Sequence, residues 1–222
     1  MWNYSGEWRR RRTRLVSLIR GSGADLVALQ EVRHGVLDLP GHNQARWLAQ
    51  ASSMNFVFQP AGSVSSMPGA VEGLAFLSPK PLDQTWFTRV SRFPGAGPSR
   101  VILTTSLAGI DVHNVHFPLR EKARLLEARL LVRLVEARNQ PAIIVGDFNS
   151  HCDDEPMLLL FAAGFVDRWG GSEAEWPHED RIDYALSYRL KAESRLTAIP
   201  VEHGTRGPSP SDHPGLLLDL AF

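Results

Sequence analysis

The chain has 222 residues, of which 24 are Lys or Arg and 24 are Asp or Glu, so its formal net charge is zero. A neutral chain gains little long-range attraction to nucleic acid from its net charge, which excludes binding by bulk positive charge alone. Hydrophobic residues make up 43% and charged residues 22% of the sequence, which is typical of a soluble globular protein with a large buried core.

The first predicted element is a helix from about Glu7 to Arg20, which contains the arginine run "RRRR". At helical spacing its inward face holds four apolar residues: Trp8, Leu15, Leu18 and Ile19. Arg11 and Arg12 flank this face, so we expect their aliphatic stems to lie along the core surface. Six arginines and one glutamate give residues 1–20 a charge of +5, so the basic character is local.

Short apolar runs bounded by polar or turn residues predict strands along the chain. The first five are 24–32, 55–60, 71–78, 101–107 and 110–117. Leucines and valines at helical spacing, with Pro141 beyond their end, then predict a helix over 120–139. The last strands are 141–149, 181–187 and 215–222. Some strands are linked by helices and others by short turns, which favours one α/β domain over 1–222 with mixed sheets.

Several of these strands end in residues that are costly to bury. They are Glu31, His116, Asp147 with Asn149, and Asp212 with His213 before the last strand. In α/β proteins, sites form where strands pass into loops. Because side chains alternate along a strand, Asp147 and Asn149 are expected to point the same way. A carboxylate beside an amide can take a proton from a water molecule and orient it.

Each of these residues also has a structural explanation. Glu31 could be an acid at a helix N-terminus, and Asp147 with Asn149 could form an Asx turn. His116 could be a hydrogen-bonded structural histidine, and turn chemistry accounts for Asp212. The ordered set of residues carries more weight than any one of them.

The set resembles the endonuclease/exonuclease/phosphatase superfamily, which includes DNase I and exonuclease-III-like repair nucleases. The matching stretches are "WN" (2–3), "ADLVALQEV" (24–32), "GLAFLS" (73–78), "NVHFPL" (114–119), "IIVGDFNS" (143–150), "RIDYAL" (181–186) and "SDH" (211–213). They occur in the order of the family. The resemblance implies a DNase I-like four-layer sandwich, in which two mixed β-sheets pack face to face between helices.

The resemblance also implies hydrolysis of phosphate esters with a divalent cation, usually Mg²⁺, for which Mn²⁺ can substitute. It makes Glu31 the main metal ligand and places Asp212 near the metal, since Mg²⁺ prefers hard oxygen donors. Asp147 would activate or hold the attacking water, and Asn149 would orient that water or the phosphate. Many members carry Asp or Asn at the position of Ser5, and a hydroxyl is a poor substitute for a carboxylate as a Mg²⁺ ligand, so both one and two metals stay open for a site near Asn3.

The remaining roles that the resemblance implies concern the phosphate. His213 would contact the scissile phosphate, and Asp183 would hold the His213 imidazole in the right tautomer. His116 would donate to phosphate oxygens as charge builds in the transition state. Asn3 would bind the phosphate or the metal's water shell.

The substrate class is less defined by the sequence. A nuclease acting on DNA or RNA, with DNA favoured, is the first hypothesis, and a small-molecule or phospholipid phosphoesterase is the second. A third is a non-catalytic scaffold, which the filled catalytic positions disfavour. The aromatic and basic segment 85–100 could stack on bases, or it could form a hairpin with Trp86 and Phe87 partly in the core.

The sequence also suggests where the protein resides. Cys152 is the single cysteine, so no internal disulfide can form. The longest mostly apolar stretch, 157–166, is too short to span a bilayer, and no secretory signal is visible. We therefore expect a cytoplasmic protein without a membrane span, and a monomer.

Overall fold

Four helices and eleven strands form in the part of the chain that this computed structural model describes, which is residues 8–35, 43–63, 69–90, 99–169, 181–199 and 210–221. The helices are α1 (Trp8–Ser22), α2 (Gln44–Ser52), α3 (Glu121–Arg138) and α4 (Glu155–Ala162). No helix among these residues is long and apolar enough to cross a membrane.

The strands form two main sheets and a ribbon. The first sheet is antiparallel in the order β1-β3-β2, with β1 (Val27–His34), β2 (Asn55–Ser63) and β3 (Val71–Ser78). The second has the order β4-β5-β6-β7-β9-β8. Its strands are β4 (Thr85–Val90), β5 (Arg100–Leu107), β6 (Ile110–His116), β7 (Ala142–Asp147), β8 (Val166–Asp167) and β9 (Asp183–Tyr188). The antiparallel ribbon pairs β10 (Glu193–Ile199) with β11 (Gly215–Ala221).

Among the strands of the described residues, β6 and β7 are the one pair that runs parallel. They are joined by α3, as a parallel pair requires a long crossover connection. The six-stranded sheet is therefore mixed, whereas the three-stranded sheet is antiparallel throughout.

Three buried apolar clusters show how the layers stack. One cluster, with Val32 and Leu48, lies between the three-stranded sheet and the helices α1 and α2. A second, with Phe76 and Leu103, lies between the two sheets. The third, with Leu131, lies between the six-stranded sheet and the helices α3 and α4. The order of layers is thus helices, sheet, sheet and helices, as predicted.

The strand β3 shows why its sequence forms such a layer. Leu74 and Phe76 face the second sheet, and Ala75 and Leu77 face α1 and α2. A strand that is covered on both faces is apolar on both faces, which explains the continuous run "LAFL".

Predicted and observed elements agree in order and differ mainly at their ends. The predicted strand 71–78 coincides with β3, whereas the strand predicted over 24–32 is β1 at Val27–His34. The helix predicted from Glu7 is α1, with Leu15 and Ile19 buried. Leu18 was wrongly assigned to its inward face, because 36% of the residue is exposed.

Candidate active site

Three predicted site residues lie in one row across the six-stranded sheet. His116 is the last residue of β6, and Asp147 is the last residue of β7. The two are register partners, and Asp147 is in turn the partner of Asp183 on β9. Because β6 and β7 are parallel and β9 begins where they end, all three residues meet at one edge of the sheet.

His116 occupies the centre of this edge. Its Nε2 atom lies 3.6 Å from Oδ2 of Asp147 and 4.0 Å from Oε1 of Glu31. Its Nδ1 atom lies 3.5 Å from Nη1 of Arg100. Because a guanidinium group can only donate, this contact favours the tautomer with the proton on Nε2. Burial, followed by the charge of Arg100, holds the pKa of His116 well below its usual value, so the ring is neutral.

Glu31 reaches the edge from the other sheet. The β1–β3 ladder has a register shift between Leu29 and Val32, and Glu31 lies within it with a φ of 54°. A bulge of this kind redirects a side chain, and a positive φ at a non-glycine residue is unusual enough to suggest a functional constraint. The neighbouring Gln30 donates from Nε2 to Oδ1 of Asn114 on β6, at 2.7 Å.

Two charged residues outside the predicted set, Glu72 and Arg100, lie beside Glu31. Ligand atoms of Glu31, Glu72 and His116 all lie within 4.8 Å of one another. Arg100 Nη1 is 3.6 Å from Oε1 of Glu72, and burial, with the charge of Glu31, raises the pKa of Glu72. The sequence held one indication that Glu72 belongs to the site, because Glu72 is the sole charged residue in the apolar strand "VEGLAFLS". No comparable sequence pattern pointed to Arg100.

Asp147 and Asn149 are joined by a turn. The backbone N–H of Asn149 donates to Oδ1 of Asp147 at 2.7 Å, and Asn149 has a φ of 47°. Its Nδ2 donates to the carbonyl of Phe117 at 2.8 Å. Since β7 ends at Asp147, strand alternation does not govern Asn149, and that argument was wrong. The Asx turn considered above is present, and it leaves Oδ2 of Asp147 directed at His116.

Burial raises the pKa of Asp147 to about 6, and the charge of Asp183 acts in the same direction. The Asn149 N–H opposes the shift because it stabilises the ionised form. Asp147 is therefore mostly ionised at neutral pH but far closer to its titration range than an ordinary aspartate.

His213 forms a pair with Asp183. Its Nδ1 atom lies 2.7 Å from Oδ2 of Asp183, and its backbone N–H donates to Oγ of Ser211 at 3.2 Å. The hydrogen bond to Asp183 raises the pKa of His213 to about 9, against the opposing effect of burial. Ligand atoms of Asp147, Asp183 and His213 form a second cluster within 4.8 Å. His213 is thus an imidazolium at neutral pH, in contrast to His116.

The other predicted site residues stand apart. Asp212 is exposed and contacts Oγ of Ser211 at 3.5 Å, and it belongs to neither cluster. It is nonetheless close enough to Arg11 to act on that guanidinium electrostatically, as Glu31 also does. Asn3 and Ser5 lie outside the described residues.

The aromatic segment has a structural role at its β4 end. Arg138 lies over the Trp86 ring, 4.3 Å from its centroid, and 43% of Phe87 is exposed. Trp86 on β4 is the register partner of Thr104 on β5, and Thr104 is the partner of His113 on β6. His113 lies three positions before His116, the last residue of β6. A hairpin interpretation therefore fits Trp86, whereas Phe87 is not in the core.

The sequence profile of the Endonuclease/Exonuclease/phosphatase family matches residues 2–213. No curated protein sequence gives a significant match. Among solved structures, a conserved protein of unknown function from Enterococcus faecalis is 22% identical, with a TM-score of 0.76 over 97% of this chain and 92% of its own. A mannosyl-6-phosphatase from Bacteroides thetaiotaomicron is 19% identical, with a TM-score of 0.70 over 97% and 92%.

A 3′ phosphatase from Neisseria, solved with a product DNA hairpin, is 14% identical, with a TM-score of 0.68 over 96% of this chain and 95% of its own. At such identities these likenesses show the fold alone, and they confirm the predicted DNase I-like α/β architecture. Together with the profile match over nearly the whole chain, they lead to one conclusion. The chain belongs to the endonuclease/exonuclease/phosphatase family, whose members are metal-dependent hydrolases of phosphate esters.

Proposed function

We propose that this protein is a Mg²⁺-dependent phosphodiesterase that hydrolyses nucleic acid, with DNA as the favoured substrate. The observation that carries the proposal is the row of His116, Asp147 and Asp183 at one sheet edge, with Glu31 facing it from the other sheet. This arrangement places carboxylates, which suit a hard cation, beside one neutral imidazole and one imidazolium.

The donor chemistry beside Glu31 fits a divalent cation. Glu31 and Glu72 supply carboxylate oxygens, which Mg²⁺ prefers, and few protein ligands suffice because Mg²⁺ keeps several waters. His116 is better suited as a donor than as a ligand, since Arg100 holds the proton on its Nε2 atom. When bound there, the cation would polarise the phosphoryl oxygen and stabilise the leaving oxygen.

Asp147 serves as the group that takes or holds the proton of the attacking water. Its Oδ1 atom is occupied by the Asn149 N–H, so Oδ2 is the oxygen available for the water proton. A pKa of about 6 suits this role, because the carboxylate is ionised at neutral pH and still has appreciable basicity. Asn149 keeps the carboxylate oriented and contributes amide hydrogen bonding beside it.

The two histidines serve the phosphate. Neutral His116 donates from Nε2 to a phosphate oxygen as negative charge builds there. His213 contacts the scissile phosphate as an imidazolium, and Asp183 fixes its orientation through Nδ1. Asn3 and Asp212 remain predicted contributors to phosphate and metal binding.

A second candidate is a phosphatase acting on small phosphomonoesters. The fold match to a mannosyl-6-phosphatase over 97% of this chain supports it, since one catalytic set serves both kinds of ester. The two candidates differ in whether the site accepts a diester within a polymer or a terminal phosphate.

A substrate panel tests the proposal. Purified protein with Mg²⁺ is incubated with plasmid DNA, oligonucleotides of DNA and RNA, p-nitrophenyl phosphate, inositol phosphates, sugar phosphates and sphingomyelin. We expect cleavage of DNA that EDTA abolishes and that Mg²⁺ or Mn²⁺ restores. Turnover of sugar phosphates or p-nitrophenyl phosphate without nucleic-acid cleavage would favour the second candidate.

The variant Asp147→Ala tests the role of the carboxylate. Removing a general base typically costs a factor of 10² to 10⁴, so we expect kcat to fall roughly a thousandfold. Asp153→Ala is the matched control, because it removes an exposed carboxylate from the loop after Asn149. Equal rates for the two variants would remove Asp147 from the mechanism.

A further inference from the structure

Arg11 in the arginine run of α1 is buried, with 1% of the residue exposed. Its guanidinium donates from Nε and from Nη2 to the carbonyl oxygen of Pro210, at 3.2 Å and 3.0 Å. These residues are 199 positions apart in the sequence. A buried charged group that donates two hydrogen bonds to one distant carbonyl is an anchor for the segment that carries that carbonyl.

Pro210 begins the segment that carries Asp212 and His213. Among its other contacts, Asp183 holds the His213 ring and Gly215 pairs with Ile199 in the ribbon, while Ser211 Oγ accepts the His213 N–H within the segment itself. Of these, only Asp183 belongs to one of the two main sheets. Arg11 adds an anchor from α1, which packs on the three-stranded sheet.

We infer that Arg11 is a positioning residue, which holds the segment Pro210–His213 so that His213 stays in contact with Asp183 at the candidate active site. The inference rests on the proposed function, in which His213 contacts the scissile phosphate. Loss of the anchor lets the segment move, and a displacement of about 1 Å can reduce a rate by about a hundredfold.

Arg11→Met tests the inference, because methionine keeps an apolar stem and removes the donors. Arg12→Met is the matched control: it removes the same charge from the same helix, but Arg12 lies over the Trp47 ring at 4.3 Å. Arg11→Lys keeps the charge and one possible donor, and should recover part of what Arg11→Met loses.

Two readouts separate this inference from the proposed function. In metal-free full-length protein, the proton that His213 Nδ1 shares with Asp183 gives a downfield NMR signal, identified by its loss in His213→Asn. We expect Arg11→Met to broaden or abolish this signal and to lower kcat about tenfold to a hundredfold with little change in KM. Arg12→Met should match wild type in both readouts.

The NMR readout does not depend on turnover. If all proteins are inactive, yet Arg11→Met loses the His213 signal and Arg12→Met keeps it, the proposed function fails and the positioning role stands. An unchanged His213 signal in Arg11→Met, whatever its activity, overturns the inference.

A measurement on wild-type protein covers the case in which Arg11→Met does not fold. The Nε–H of Arg11 should exchange with solvent at least tenfold more slowly than that of the half-buried Arg12, because it is buried and donates to Pro210. Equal exchange rates for the two arginines would also overturn the inference.

Discussion

The two histidines at the candidate site differ in charge, one neutral and one positive, because their partners differ. His116 is buried and faces the guanidinium of Arg100, and both effects disfavour its protonated form. His213 donates to Asp183, which stabilises the imidazolium more than burial disfavours it. One ring is therefore a neutral donor and the other a cation, although both carry the same functional group.

Replacing Asp183 with asparagine should separate these roles. Asp183→Asn removes the charge that stabilises the His213 imidazolium, so the pKa of His213 should fall from about 9 towards the ordinary value of 6.5. Since the proposed activity needs protonated His213, the alkaline limb of kcat/KM should move to lower pH by about one to two units. NMR titration of His213 in metal-free protein, alongside the pH–rate profile, measures both effects.

The control for this prediction is Asp153→Asn, which removes an exposed carboxylate. It should leave the His213 titration and the alkaline limb in place. An unshifted His213 pKa in Asp183→Asn would contradict the explanation of its charge state.

At the scale of elements, the contact between β6 and β7 depends on a glycine. Gly146 has a φ of 144°, and a Cβ added there would lie 2.0 Å from the carbonyl oxygen of Val115 on β6. Val115 and Gly146 are followed on their strands by His116 and Asp147, which are the next register pair. The glycine before Asp147 thus serves the spacing of the site as well as the sheet.

Gly146→Ala should lower the free energy of unfolding by roughly 3 kcal/mol, because overpacking against backbone adds to the strain of a positive φ. Urea denaturation of both proteins measures the difference. Gly109→Ala is the matched control, since Gly109 has a φ of 80° but its Cβ would meet nothing within 4 Å. We expect a cost of about 1 kcal/mol for the control, from backbone strain alone. Equal costs for both variants would show that the contact with Val115 is unimportant.

Elements with strong local patterns were predictable, and weak ones were not. The apolar strand 71–78 and the helix over 120–139 correspond to β3 and α3. The two-residue strand β8 has no periodicity to read, and its pairing with β9 alone defines it. Helix α2 was overlooked although Asn43 caps its N-terminus, because only nine residues show the pattern.

At the scale of the whole molecule, Asn114 links the two sheets. It lies on β6, is fully buried, and donates from Nδ2 to the carbonyls of Leu29 on β1 and Ala75 on β3, at 3.1 Å and 3.0 Å. Its Oδ1 accepts from Gln30, the residue before Glu31. The same side chain therefore joins the layers and supports the bulge that presents Glu31.

Asn114→Ala should cost about 3 kcal/mol of stability, because it removes a buried side chain and its hydrogen bonds to two carbonyl groups of the other sheet. It should also weaken Mg²⁺ binding roughly tenfold, since support for Glu31, the proposed metal ligand, is lost. Thermal unfolding and calorimetric Mg²⁺ titration measure the two effects. Asn55→Ala is the control, because the Asn55 side chain donates to the carbonyls of Ser78 and Pro79 at the end of β3 and, among the described residues, makes no hydrogen bond to the other sheet. If both variants bind Mg²⁺ as wild type does, Asn114 does not support the site through Gln30.

The sequence by itself determined the α/β class, the order of the main strands and the family, because apolar periodicity and short motifs are local properties of the chain. The tertiary structure decided which side chains meet. Glu72 and Arg100 join His116 through sheet packing, and Arg11 reaches Pro210 across 199 positions. Such contacts depend on strand register and layer stacking, which no local pattern encodes. Arg11 of the arginine run is buried against Pro210, and this position in the fold distinguishes it from its neighbour Arg12.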